Sequence, residues 1–121
     1  MQLNVLGGLL GACCMDPQTG FYRDGFCHTG PDDLGVHTVC VKVNDVFLAY
    51  SKSVGNDLST AFPMYNFPGL QDGDRWCLCA ERWMQAFKAG VAPPVVLSST
   101  NIKTLELIPL EVLMGYALDL E

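Results

Sequence analysis

The longest patterned stretch of the chain covers residues 73–90, Gly-Asp-Arg-Trp-Cys-Leu-Cys-Ala-Glu-Arg-Trp-Met-Gln-Ala-Phe-Lys-Ala-Gly. Trp76, Cys79, Ala80, Trp83 and Phe87 recur there at i, i+3, i+4, i+7 and i+11, one apolar stripe at the helical period. Glu81, Arg82, Gln85 and Lys88 fall elsewhere on the wheel. The ends agree with a helix. Asp74 can accept from the free N–H groups of a first turn. Gly90 tolerates the left-handed conformation that ends a helix, and Pro93 and Pro94 forbid continuation. The pattern predicts a central helix over residues 74–90, with Trp76 and Trp83 in the core.

A strict alternation over residues 36–43 predicts the strongest strand. His37, Val39, Val41 and Val43 take one face, and Thr38, Cys40 and Lys42 the other. Asn44 then caps a second helix over residues 45–54, with Gly55 as its stop. Val46, Phe47, Tyr50 and Val54 would form its apolar side. Residues 94–98 and 103–108 read as two further strands, and Pro109 opens a last helix over residues 110–118. A short strand is expected to begin within residues 2–10. Residues 13–35 are dense in Gly, Pro and Asp, which predicts a long irregular segment. Phe62, Tyr65 and Phe67 sit on a proline-bearing aromatic loop. The sum is an α+β single domain spanning residues 1–121, with three or four short strands and about three helices.

Composition narrows the function classes. Half of the 121 residues are apolar, enough for a core without staples. Seven Lys and Arg stand singly in a chain of net charge −6, so no basic stripe marks a nucleic-acid binder. No apolar run reaches membrane-spanning length. The first residues lack the basic and apolar regions of a signal peptide, and a cytoplasmic chain with reduced cysteines is the expectation. Nucleotide-loop and serine-hydrolase motifs are absent: Gly7-Gly8-Leu9-Leu10-Gly11 lacks the required glycine order.

The six cysteines invite a metal reading that the geometry resists. On a helix, Cys77 and Cys79 would point about 200° apart; only an extended stretch would put them on one face. His37 and Cys40 fall on opposite faces of a strand. No complete ligand tetrad is visible, so no metal or cofactor is expected. Cys79, on the stripe, reads as a small buried side chain. Cys77, beside Arg75 in the first turn of the expected helix, is the candidate reactive thiol. The other binding candidates are polar or thiol side chains on non-helical segments: Arg75, Asp57, Asn56, His37, Arg23, Asp24, Cys13, Cys27 and Cys40.

The chain also resembles an uncharacterised bacterial family, domain of unknown function 2237. The resemblance rests on Asp16-Pro17-x-Thr19-Gly20-Phe21 with Arg23-Asp24-Gly25, His37-Thr38-Val39-Cys40, Gly55-Asn56-Asp57-Leu58-Ser59-Thr60, Phe67-Pro68-Gly69-Leu70, Gly73-Asp74-Arg75-Trp76-Cys77-Leu78-Cys79 and Ala92-Pro93-Pro94-Val95. Cys14 departs from a pattern in which serine is usual. The resemblance implies a small soluble α+β domain and brings no established activity with it. Two function classes follow. One is a pocket for a small molecule or anion, with Arg75 receiving the anion and Cys77 or Cys13 as the thiol. The other is a non-catalytic interaction or oligomerisation module that uses residues 62–67 as its contact surface, with a homo-oligomer as one outcome.

Overall fold

The computed structural model describes residues 2–119. Its regular elements are β1 (His37–Lys42), α1 (Asp45–Ser53), β2 (Arg75–Cys79), α2 (Ala80–Lys88) and α3 (Leu110–Met114). Three short 3-10 segments lie at Pro63–Tyr65, Leu97–Ser99 and Ile102–Glu106. β1 and β2 form a two-stranded antiparallel sheet, pairing Lys42 with Arg75, Val41 with Trp76, Cys40 with Cys77, Val39 with Leu78 and His37 with Cys79. A bulge between His37 and Val39 shifts the ladder at its end.

The expectation of one helix over residues 74–90 is half right. Residues 75–79 are a strand, and the helix begins only at Ala80. Alternation explains the switch: Trp76 and Leu78 share one face of β2 and Cys77 lies on the other, and all three are buried. A helix would have left Cys77 and Leu78 off the stripe. Asp74 caps nothing helical; its carboxylate accepts from Gln71 N–H at 2.9 Å and closes the turn into β2. The far end of the helix is as expected. Gly90 has φ +76°, its N–H donates to Phe87 and the Val91 N–H donates to Ala86, the two bonds of a Schellman close.

Two other expected strands are corrected. Residues 94–96 lie beside β1, but only Val95 forms bridges, to Val41 and to Ala117. The ladder stops because Leu97–Ser99 turns, with the Asp119 carboxylate accepting from the Leu97 and Ser98 N–H groups at 2.8 and 2.9 Å. Residues 102–106 coil instead of extending, because the Asn101 side chain accepts from Lys103 N–H at 2.9 Å and starts a 3-10 turn. So the described residues form an α+β domain with a two-stranded sheet, not three or four strands. The N-terminal residues make only single bridges, at Leu3 and Asn4. The last helix is shorter than expected, ending at Met114.

The second helix forms where expected but turns a different side inward: of Val46, Phe47, Tyr50 and Val54 only Phe47 is buried. Asn44 accepts from Phe47 N–H at 2.8 Å and caps α1. That helix buries Phe47, Leu48 and Ser51, while Val46 is exposed. Residues 13–35 contain no helix or strand.

Both faces of the small sheet are covered. Val39, Val41, Trp76 and Leu78 join the main core with Phe47, Phe67 and Trp83. Trp83 is fully buried, stacks on Phe87 with ring centroids 5.6 Å apart and donates Nε1–H to the Pro93 carbonyl at 3.1 Å. The opposite face carries a second cluster of Cys13, Cys27, Cys40, Cys77 and Val96. Cys13 is bonded to Cys40 and Cys27 to Cys77. This corrects the expectation of a reduced, unstapled chain. The two bridges pin the irregular 13–35 segment onto the sheet, where turn chemistry alone could not hold it.

Two outcomes are expected. Trp83→Ala should cost about 3–5 kcal/mol in guanidinium unfolding, since the cavity left between the Phe87 and Tyr116 rings cannot collapse. Reduction should also destabilise the chain. Loops of 27 and 50 residues give about 3.5 and about 4 kcal/mol of denatured-state constraint. An unfolding midpoint unmoved by dithiothreitol would show that the bridges are not formed.

Candidate functional site

A groove runs between the end of the sheet, the start of α2 and the two loops that flank them. Three adjoining cavities of about 260, 350 and 220 Å³ make it up, and all three are lined by Leu58 and Trp76. The first adds His37, Asn56, Cys79 and Arg82. The second adds Arg23, Phe21 and Cys77 along with His37. The third adds Arg23, Asp57, Phe62 and Tyr65. A larger cavity of about 570 Å³ lies elsewhere, beside Gln2, Thr29 and Asn101. Its polar groups are used on one another: Gln2 holds both backbone groups of Thr29 at 2.8 and 3.0 Å and accepts from Asn101 Nδ2. Lys103 there pairs with Glu106 at 3.1 Å. The groove, whose two arginines have no carboxylate partner among the described residues, is the better candidate.

His37 is the most closely positioned group in it. The bulge at the start of β1 turns its ring out of the ladder, and Nδ1 lies 2.6 Å from Asp33 Oδ1. Asp33 Oδ2 accepts from the His37 backbone N–H at 2.9 Å and from the Thr29 hydroxyl at 3.0 Å. Burial opposes ionisation of Asp33, whose side chain is fully buried. The hydrogen bonds from the His37 ring, the His37 backbone and Thr29 outweigh that cost and hold its carboxyl below the ordinary 3.8. A carboxylate only accepts, so Nδ1 carries a proton and Nε2 is the ring nitrogen without a protein partner among the described residues. Gly35 makes room for the ring. A Cβ at that position would stand 2.6 Å from His37 Cε1.

Cys79 faces His37 across the sheet. It is half-buried, unpaired with any other cysteine, and occupies the N-cap position of α2. No side chain caps that helix. Arg82, one turn in, donates Nη1–H to the Val54 carbonyl at 3.2 Å and to Gln85 Oε1 at 3.3 Å. On the other side, the Arg23 guanidinium lies 5.0 Å from the Trp76 ring centroid and 5.9 Å from that of Phe67, within cation–π range. Arg23 reaches there through a left-handed backbone, φ +56°.

The family described as an uncharacterised protein conserved in bacteria, domain of unknown function 2237, matches residues 3–117. The chain belongs to that family. No curated protein matches it. The description of the family carries no activity, so function has to be argued from the groove.

Of the sequence candidates, Arg23, His37, Asn56 and Asp57 come together around the groove. Asp57 is engaged at its own turn, accepting from Ser59 and Thr60 N–H and from the Thr60 hydroxyl. Arg75 does not join them. It is exposed, paired across the sheet with Lys42 at the opposite end from Cys79. Asp24 holds its own loop, 2.7 Å from His28 Nδ1 and accepting from Phe26 N–H.

Cys77 is not in a helix, and its sulfur is bonded to Cys27. Cys13 and Cys40 form the other bridge. The sulfurs of Cys13, Cys27 and Cys77 lie within 4.8 Å of one another, but each is committed to a disulfide. Sequence reading passed over Asp33, Cys79 and Arg82. The Asp33-x-x-x-His37 spacing was a signal, and so was the extended alternative for residues 77–79.

The depressed Asp33 carboxyl sets a pH dependence. Above 3.8 the folded and unfolded forms are both ionised and the hydrogen bonds stabilise the fold in full. That contribution is lost as pH falls through the lower folded value. Asp33→Asn should cost about 1.5–3 kcal/mol at pH 7, and the gap to wild type should narrow below pH 3.8 in urea unfolding measured across pH.

Proposed function

We propose that this domain binds a small anionic molecule in the groove, with Arg23 and Arg82 receiving the charge and His37, Asn56 and Cys79 facing the rest of the ligand. One observation carries this reading. In a chain of net charge −6, two guanidinium groups line one concave surface, and neither has a carboxylate at ion-pair distance among the described residues. An arginine fork left without a carboxylate is suited to a carboxylate or phosphate supplied from outside. Trp76 lines the cavities of both arginines, and Phe62 and Tyr65 add apolar wall beside Arg23, the usual composition of a small-molecule site.

Thermal shift against inorganic phosphate and succinate, with chloride as control, tests the reading. Binding should raise Tm with ligand concentration. Arg82→Ala and Arg23→Ala should each weaken the response about tenfold, in line with the loss of one charge-assisted hydrogen bond. No shift with either anion, or a shift that survives both substitutions, would sink it.

A second reading, an interaction or oligomerisation module, is favoured by the loop at 62–67. Phe62, Met64 and Tyr65 are 47, 81 and 69% exposed, an apolar tip of the kind that contacts a partner. Sedimentation equilibrium of the wild type and of Met64→Asp separates the two readings. A dimer that dissociates on substitution supports the module, and a monomer throughout removes it.

A further inference from the structure

We propose that the groove is a covalent acyl-transfer site in which Cys79 is the nucleophile and His37 its general base. Asp33 positions the imidazole, and the substrate is a small anionic molecule with an electrophilic carbonyl. The proposal rests on the groove being a ligand site and adds a reaction to it.

The sheet register brings the pair together. His37 and Cys79 are cross-strand partners at the end of the ladder, just beyond the bulge. Both line the cavity of about 260 Å³ that also holds Arg82 and Asn56. The imidazole cannot swing freely. Nδ1 is tied to Asp33 at 2.6 Å, and Asp33 is itself held by Thr29 and by the His37 backbone. Phe21 stacks on the ring with centroids 5.9 Å apart. With Nδ1 tied to Asp33, Nε2 is the ring nitrogen left to accept a proton, and His37 and Cys79 line one cavity. A nucleophile, a base and a buried group that orients the base are the parts that thiol-dependent acyl transfer requires.

The chemistry balances without a redox partner. His37 Nε2 takes the Cys79 thiol proton as sulfur attacks the carbonyl carbon and the carbon–sulfur bond forms. The bond to the leaving group breaks, and His37 returns the proton to that group. The chain then carries a thioester on Cys79. Water or an acceptor hydroxyl gives its proton to His37 and attacks the thioester, and Cys79 departs with that proton as a thiol. Arg82 holds the anionic end of the substrate. The negative charge on the carbonyl oxygen develops beside the first turn of α2, where Ala80 N–H is taken by the Val36 carbonyl and the Glu81 and Arg82 N–H groups are left to receive it.

Among the described residues Cys14 is the other free cysteine, also half-buried, and it serves as an internal reference. The probe is p-nitrophenyl acetate on the full chain purified without reductant. The expected result is a burst of one p-nitrophenolate per chain and a single acetyl group on the peptide carrying Cys79, acquired at least about tenfold faster than on Cys14.

Cys79→Ala should abolish the burst and Cys14→Ala should leave it intact. His37→Gln should slow acetylation about a hundredfold. Asp33→Asn should slow it less, lowering the rate at Cys79 while leaving that at Cys14 unchanged, a split that general loosening of the fold would not produce. Equal acetylation of Cys79 and Cys14 in the wild type overturns the proposal and needs no variant that must fold. So does a burst that survives Cys79→Ala. Phosphate or succinate binding measured on the same sample separates the two readings. Anion binding without acetylation removes the nucleophile and leaves the binding site; acetylation of Cys79 without anion binding removes the anion site and leaves the nucleophile.

Discussion

The register of two strands governs this molecule. A two-stranded sheet is marginal by itself, so its persistence depends on what covers it. The pairing of Cys40 with Cys77 places two cysteines opposite each other on one face. Bridges from Cys13 and Cys27 then lash the N-terminal segment over that face. The same register directs Val39, Val41, Trp76 and Leu78 to the other face, onto α1, α2 and the Phe67 loop. A slip of one residue would send the cysteines into the aliphatic core and the indole onto the disulfides. Two incompatible coverings on two faces thus specify one pairing.

The groove is a by-product of that pairing at its frayed end. The bulge before Val39 interrupts regular alternation and releases the His37 ring toward Asp33. The strand-to-helix junction at Cys79 and Ala80 brings a helix start alongside. Arg23 arrives from the disulfide-pinned segment and Asn56 from the turn after α1. The bridges therefore act on the site as well as on the fold. Cys77 lines the groove while bonded to Cys27, four residues from Arg23. Without that tether the arginine would have no fixed station over Trp76.

Much of this was legible in the sequence wherever one local rule acted alone. The β1 alternation, the Asn44 cap, the irregular 13–35 segment and the Gly90 close all follow from residue type and spacing. Errors arose where two rules competed. Residues 76–80 satisfy a helical stripe and a strand alternation at once, and cross-strand partners decided for the strand. Residues 102–106 alternate well enough to extend, yet the Asn101 side chain made a turn that captured them. The disulfides were illegible for a different reason. Partners 27 and 50 residues apart leave no local trace, and which of six cysteines meet is a property of the fold.

The same competition moved the candidate thiol. The sequence puts Cys77 in the first turn of the central helix; the structure puts Cys79 at that helix start. Once residues 75–79 are taken by β2, the helix start falls at Cys79. Cys77 passes into the sheet, where its neighbour is Cys40 and its bond is to Cys27. That displacement changes the chemistry that can be argued. Beside Arg75, a thiol would have had one exposed cation and no base. At Cys79 it has an imidazole across the strand, a buried carboxylate behind that imidazole, and an arginine one turn along its own helix. The sheet that corrected the secondary structure is also what assembles these groups.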